Sequence, residues 1–345
     1  MTRDQLSYII NNKTLPYPAD GIKLIETHIS WVILTDQYVY KIKKPIEFSF
    51  LNFSSIEKRK EYCEKEVKLN SRLVPKMYLR VLPIKESNGN YNIGGKEGTV
   101  IDYAVLMKRM DERKQLDLLL EYGTVKSASM IKLADVLVSF HQGAEIVPEG
   151  EDWKELYTEF EDVAGVQNFL EKYFGKETRQ LLEEVNQWAY QFLEGSKERI
   201  AERNRKGFVI DGHGDLHTRN IFLLKDPVIF DCIEFNDDLR KLDLLNEVAF
   251  LCMDLERFGR FDLSKTFTER YFSKIPCIEN AADEQLFRFY KLYRANVRLK
   301  VHAINAQADN ITETKQQREI ALLSQYLELY KHYYMDLKKE NRLKV

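Results

Sequence analysis

The sequence predicts an α+β chain in two parts, a small lobe of antiparallel strands with one helix and a larger, mostly helical lobe. Three observations lead there. The first third alternates short β-rich runs with polar turns around one long helical pattern. The remainder repeats apolar residues at helical spacing. A single β-rich island, 208–232, interrupts those helices. The expected lobes are 1–107 and 108–345.

A short helix is expected over 3–11, followed by a turn at Pro16, Pro18 and Gly21. Runs 23–28, 31–35 and 38–43 read as strands, and their short polar separators imply an antiparallel meander. Ser54 and Glu57 have capping-box spacing, with Ser54 as N-cap of a helix reaching about Leu73. On it Tyr62, Glu66, Leu69 and Leu73 share one face. Strands 78–84 and 100–107, joined by a turn containing 87–90 and Gly94-Gly95, complete a five-stranded sheet. Helices follow at 114–122, 126–142, 152–174 with a break, 177–203, 242–257, 263–272, 283–306 and 313–339.

A length of 345 residues exceeds one ordinary core and suits two lobes. With 44% hydrophobic and 31% charged residues the composition is that of a globular protein. A net charge of −2 excludes a general nucleic-acid coat. No apolar run reaches the length of a membrane span, and MTRDQLSYIINNK lacks the apolar core of a signal peptide. Neither nucleic acid nor membrane is an expected partner, and a cytoplasmic location is expected. Cys63, Cys232, Cys252 and Cys277 are widely spaced and read as small buried apolar residues, not as a disulfide framework or zinc site.

The island carries Asp215, Asn220 five residues later, and Asp231 eleven residues after that, at the end of the apolar run Val228-Ile229-Phe230. Phosphoryl transfer calls for such groups: a carboxylate facing the attacking hydroxyl, and oxygen ligands that hold Mg²⁺ against phosphates.

The run His213-Gly214-Asp215-Leu216-His217-Thr218-Arg219-Asn220 resembles the HGDxxxxN motif of aminoglycoside phosphotransferases, choline kinases and their relatives. That motif corresponds to the HRDxxxxN catalytic loop of protein kinases. Asp231 falls where those families place their second metal-binding Asp, 229–235 resembles their IDWE stretch, and Asp243 matches a recurrent acidic position. The resemblance implies a bilobal protein-kinase-like fold and a kinase that uses ATP and Mg²⁺ to phosphorylate a hydroxyl of a small molecule. Asp215 would be the catalytic base, and Asn220 and Asp231 the metal ligands. His213 would hold the loop by hydrogen bonds. His217 stands where protein kinases carry a Lys; it either touches the transferred phosphate or packs the loop.

Tyr38-Val39-Tyr40-Lys41 has the form of the kinase VAIK strand, so Lys41 would contact phosphates, paired with Glu66. Lys43 and Lys44 compete with Lys41, and Glu64 with Glu66. The segment 103–110 occupies the place of the adenine-binding hinge, at Met107, and 133–141 resembles the family's LA..FH helix, with His141 as an interhelical residue. The resemblance runs from about Glu26 to Ala306 and is nearest an uncharacterised branch, whose phrases IETHISWV, YKVKKP and FDxIEF are matched at 25–32, 40–45 and 230–235. Many members of that branch carry a further P-loop domain. No GxxxxGK[ST] occurs here, so a single-module version is expected.

Two features depart from the family. The turn Thr27-His28-Ile29-Ser30 has no glycine, so the side chains of Thr27, His28 and Ser30 would have to replace a glycine-rich phosphate cradle. The helices over 152–203 show no aminoglycoside signature. Beside the apolar face of helix 283–306 runs a basic stripe of Arg288, Lys291, Arg294, Arg298 and His302, which needs acids opposite. They are either the protein's own or those of an anionic substrate held by Arg294 and Arg298. Two other readings compete with a small-molecule kinase. A nucleotide-binding pseudokinase or regulatory module acting on a protein partner would have lost Asp215, Asn220 or Asp231, and none is lost. A protein kinase would show an APE-like element after Asp231, and none is evident.

Overall fold

The computed structural model describes residues 1–48, 51–148, 150, 152–308 and 311–342. The chain packs as two compact units: Met1–Leu119 with Arg219–Leu239, and Leu120–Thr218 with Arg240–Val345.

The first unit is built on an antiparallel sheet in the order Lys23–Glu26, Ser30–Leu34, Tyr38–Lys43, Thr99–Lys108, Tyr78–Ser87, Asn90–Ile93. The sequence predicts five strands and the sheet has six. Asn88 and Gly89 both take positive φ, 51° and 77°, and turn the chain tightly enough for Asn90–Ile93 to pair back on Tyr78–Ser87. Strand alternation decides which side chains share a face. Trp31, Ile33, Tyr40, Ile42, Ala104 and Leu106 turn one way and pack under Leu6 and Ile9 of helix Arg3–Asn11. Val39, Val105 and Met107 turn the other way and meet Cys63 and Val67 of helix Ile56–Asn70. Lys41 and Lys43 have the parity of Val39, so both ammonium groups are directed to that helix.

Helix Ile56–Asn70 starts one residue later than a capping box at Ser54 requires. Ser55 is the N-cap and accepts from Lys58 N at 3.3 Å, while Ser54 bonds instead to Asn52 Oδ1. Glu57 therefore sits too early in the first turn to close the box. The helix ends at Asn70 rather than Leu73.

The β-rich island divides into two small pairings. Ile221–Phe222 pairs with Val228–Ile229 in the first unit, where Phe222 and Phe230 stack and join the apolar cluster around Met107. Val209–Asp211 pairs with Lys241–Asp243 in the second. That unit is otherwise helical. Its centre is helix Leu244–Arg257, buried along nearly its whole length and capped by Asp243, which also takes a two-pronged ion pair from Arg203. Helices Ala281–Ala306 and Glu313–Arg342 are the last two elements. Among the described residues no helix is long and apolar enough to cross a membrane.

Candidate active site

In the first unit five charged side chains alternate in sign. Asp231 Oδ1 lies 2.7 Å from Lys41 Nζ, and Lys41 lies 2.8 Å from Glu66 Oε1. Glu66 Oε2 lies 2.7 Å from Lys43 Nζ, which also bonds Glu234. The two lysines differ in burial. Lys43 is 0% exposed and locked between two carboxylates, whereas Lys41 is 14% exposed and faces Asp231, itself 41% exposed. Glu64 is out on the surface with Lys60, so Glu66 is the partner of both lysines. Burial pushes Glu66 up, but the two lysines win and hold it below the usual carboxylate range. Burial pushes Glu234 the other way, and the nearby Glu66 charge adds to it.

Asp231 is held at φ +64°, a region that costs a non-glycine residue energy. Its N–H donates to the Tyr78 hydroxyl, and the next residue, Cys232, donates to Asn70 at the end of the Glu66 helix. Asn220 opens the Ile221–Phe222 hairpin, is buried, and accepts from Phe230 N through its carbonyl. The hairpin thus ties Asn220 and Asp231 together. Among the described residues no group of three His, Cys, Asp or Glu is placed to hold a metal. One carboxylate with one amide nevertheless suits Mg²⁺, which binds through few protein oxygens and keeps water and phosphate as its other ligands. The charge count agrees: three carboxylates against two ammonium groups leave one negative charge over, and Asp231 is its most exposed member.

The Thr27–Ser30 turn closes on itself. Thr27 Oγ1 donates to Ser30 O and accepts from Ser30 N. Lys44 pins the turn from Thr27 O and Glu26. Ser30 is buried, so of the three expected cradle side chains only His28 is exposed without a role in the turn's own bonding. Met107 is buried in the apolar cluster, and the N–H groups after it, of Lys108 and Arg109, donate to Met77 and Gln37.

Residues 213–218 lie in the second unit. Glu247 accepts from His213 N and Gly214 N, both at 2.7 Å, and a Cβ at Gly212 would collide with its carboxylate. Gly214 has φ +85°, which bends the loop back before Asp215. Asp215 N donates to His213 Nδ1, so His213 holds the loop from within. Glu247 is in turn bonded by His141 Nε2 at 2.8 Å, and His141 Nδ1 shares a 2.6 Å hydrogen bond with the Tyr271 hydroxyl. Sequence reasoning missed Glu247. Its only signal is a carboxylate four residues into a helix, with Leu244, Phe250 and Leu251 at helical spacing beside it.

Asp215 Oδ2 lies 3.2 Å from His217 Nε2, and its side chain is 37% exposed. Burial raises Asp215, but His217, Arg298 and His213 outweigh it and hold the carboxyl well below its ordinary value. The His217 ring packs on Phe250, so it both packs the loop and touches Asp215. Arg294 and Arg298 sit one turn apart on helix Ala281–Ala306, both buried.

No protein-family model matches the chain. Uncharacterised proteins of Mycobacterium tuberculosis and Mycobacterium bovis are 31% identical to it over 288 residues, 82% of this chain and 55% of theirs. The chain therefore spans about half the length of the curated relatives it matches. Solved structures share its fold. A choline kinase from Cryptosporidium parvum Iowa II has a TM-score of 0.56 at 12% identity, over 98% of this chain and 96% of its own. An aminoglycoside 2'-phosphotransferase-IIIa mutant in complex with GDP has 0.51 at 13%, over 96% and 97%. An amicoumacin kinase in complex with AMP-PNP, Ca²⁺ and Ami has 0.52 at 10%, over 95% and 94%.

Proposed function

We propose, from this choline-kinase and aminoglycoside-phosphotransferase fold, that the chain is an ATP- and Mg²⁺-dependent phosphotransferase acting on a hydroxyl of a small molecule. The observation that carries the reading is Lys41 between Glu66 at 2.8 Å and Asp231 at 2.7 Å, with Asp231 190 residues away in sequence. Two proteins of like fold were solved with nucleotides, GDP and AMP-PNP, which supports the same reading by analogy.

Asp231 and Asn220 would hold the metal, and Lys41 would bind phosphate oxygens once drawn from Asp231. Glu66 keeps Lys41 extended. Mg²⁺·ATP bound there would supply an activated phosphoryl group with part of its charge neutralised. Asp215 is ionised at working pH, so its carboxylate orients the acceptor hydroxyl and takes its proton, with His217 fixing the carboxylate. A base this weak contributes mainly through position. Nucleotide handling falls to 1–107 with the hairpin that carries Asp231, and acceptor handling to the helices after 108.

The test is ADP release from Mg²⁺·ATP across a library of hydroxylated metabolites, followed by Asp215→Asn on any acceptor found. A fall in kcat of ~10²–10⁴-fold with nucleotide affinity retained is expected. Turnover within a few-fold of the parent removes Asp215 from catalysis. Failure to bind Mg²⁺·AMP-PNP at millimolar concentration removes the phosphotransferase reading altogether.

A further inference from the structure

Among the described residues six lysines and arginines are buried: Lys43, Arg59, Arg203, Arg240, Arg294 and Arg298. Four of them face a carboxylate. Lys43 has Glu66 at 2.7 Å, Arg59 has Asp102 at 2.8 Å, Arg203 has Asp243 at 2.6 Å, and Arg240 has Asp211 at 2.8 Å. The fold thus follows the rule that a buried charge is paired.

Arg294 and Arg298 are the exceptions, 7% and 8% exposed, and neither forms an ion pair with any described carboxylate. Arg294 donates from Nε to the neutral Asn246 at 2.7 Å and lies over the Phe250 ring at 4.7 Å. Arg298 meets His302 Nε2 at 3.0 Å, and its own Nε has no hydrogen-bond partner. Tyr326, Asp254 and Asp215 support the Arg298 charge against burial, but Asp254 is also bonded by Thr218, Arg257 and Tyr326. Glu319 is taken by His302, and Glu256 by Lys291 and Ser264. A guanidinium cannot shed its proton to relieve the cost, as a buried lysine can.

Two chains of contacts lead from the catalytic loop to these arginines. Asp215 bonds His217, whose ring packs on Phe250 at 5.6 Å, the ring that also carries Arg294. Thr218 bonds Asp254, which bonds Tyr326, whose ring lies 5.6 Å from the Arg298 guanidinium. Burial raises Asp215, and Arg298 is one of the charges that lower it, after His217.

We infer that the acceptor substrate carries an oxyanion, a carboxylate or a phosphate, in addition to its hydroxyl, and that Arg294 and Arg298 receive it beside Asp215. The inference rests on the phosphotransferase reading for the hydroxyl, but the oxyanion site stands on two buried guanidinium groups that form no close ion pair among the described residues. Two planar forks one helical turn apart match an anion with two or three oxygens. Choline and aminoglycosides carry the opposite charge.

A three-carbon series tests it by calorimetry at constant ionic strength, with and without Mg²⁺·AMP-PNP: D-glycerate, glycerol 3-phosphate, glycerol, and choline as the cationic control. One of the two anions should bind at least about tenfold more tightly than glycerol or choline, and which one wins separates carboxylate from phosphate. Arg294→Met and Arg298→Met should each abolish that margin, and the ligand-free melting temperature of Arg294→Met should hold or rise, because a buried charge with no ion pair has gone. Arg298→Lys keeps the charge and loses the fork, so it too should lose about tenfold. Melting several degrees lower in both Met variants would show that the arginines serve the fold and would overturn the proposal. So would equal binding of glycerol or choline, anion binding unchanged in Arg298→Lys, or a loss confined to AMP-PNP affinity. None of these measurements needs phosphoryl transfer, so a chain that releases no ADP would count against the proposed activity and not against the oxyanion site.

Discussion

Lys41 and Lys43 are two residues apart on one strand, bind the same glutamate, and are expected to do different work. Lys43 is sealed between Glu66 and Glu234. Removing it leaves two buried carboxylates short of a counter-charge, and breaking a buried pair from one side costs about 3–5 kcal/mol. Lys43→Met should therefore lower the melting temperature sharply. Lys41 is partly exposed, and its loss leaves Glu66 still bonded to Lys43 and Asp231 open to water. Lys41→Met should melt within a few degrees of the parent yet bind Mg²⁺·AMP-PNP at least about tenfold more weakly. Equal melting losses with equal nucleotide affinities would mean that the pair acts as one structural unit.

At the scale of the element, the loop 212–215 is a short irregular segment held by one side chain. Glu247 accepts two loop N–H groups and is itself fixed by His141. Burial raises its carboxyl, but His141, His213 and the loop N–H groups bring it down to about 2. The sign follows: ionised Glu247 stabilises the fold above its unfolded pKa, about 4.3, and that contribution is lost as pH falls toward 2. The size is about 3 kcal/mol when complete. Glu247→Gln should be clearly less stable than the parent at pH 7, and the gap between their melting temperatures should close between about pH 5 and pH 2. A gap that stays constant across that range would mean that the carboxylate charge is not what holds the loop.

For the whole molecule the proposed ligand becomes a stabiliser, because nucleotide that binds only the folded chain raises stability with concentration. At a hundred times Kd the gain is about 2.7 kcal/mol, which should read as a melting shift of several degrees with Mg²⁺·AMP-PNP. Asp231→Ala should erase the Mg²⁺-dependent part of that shift while leaving the nucleotide-free melting close to the parent, since Asp231 is 41% exposed. A shift that persists in full makes Asp231 a turn residue only.

The order of elements, the lobe character and the His213–Asn220 and Asp231 spacing were legible in the sequence because they rest on local periodicity and short-range order. Helix boundaries also came within a few residues, for example 283–306 against Ala281–Ala306. Other features depended on partners that no local spacing records. The different surroundings of Lys41 and Lys43 come from Asp231 and Glu234, 190 and 191 residues away in sequence. Thr27 and Ser30 turned out to bond each other, and Ser55 to cap in place of Ser54, because the closing geometry of a turn settles which hydroxyl is spent where. Glu247 was invisible as a loop clamp, and Arg294 and Arg298 read only as members of a basic stripe, until packing exposed which charges had acids beside them. Sequence determines which side chains are available and how often they recur; tertiary structure alone decides which are buried together, and burial is what turns a charge into a requirement for a partner.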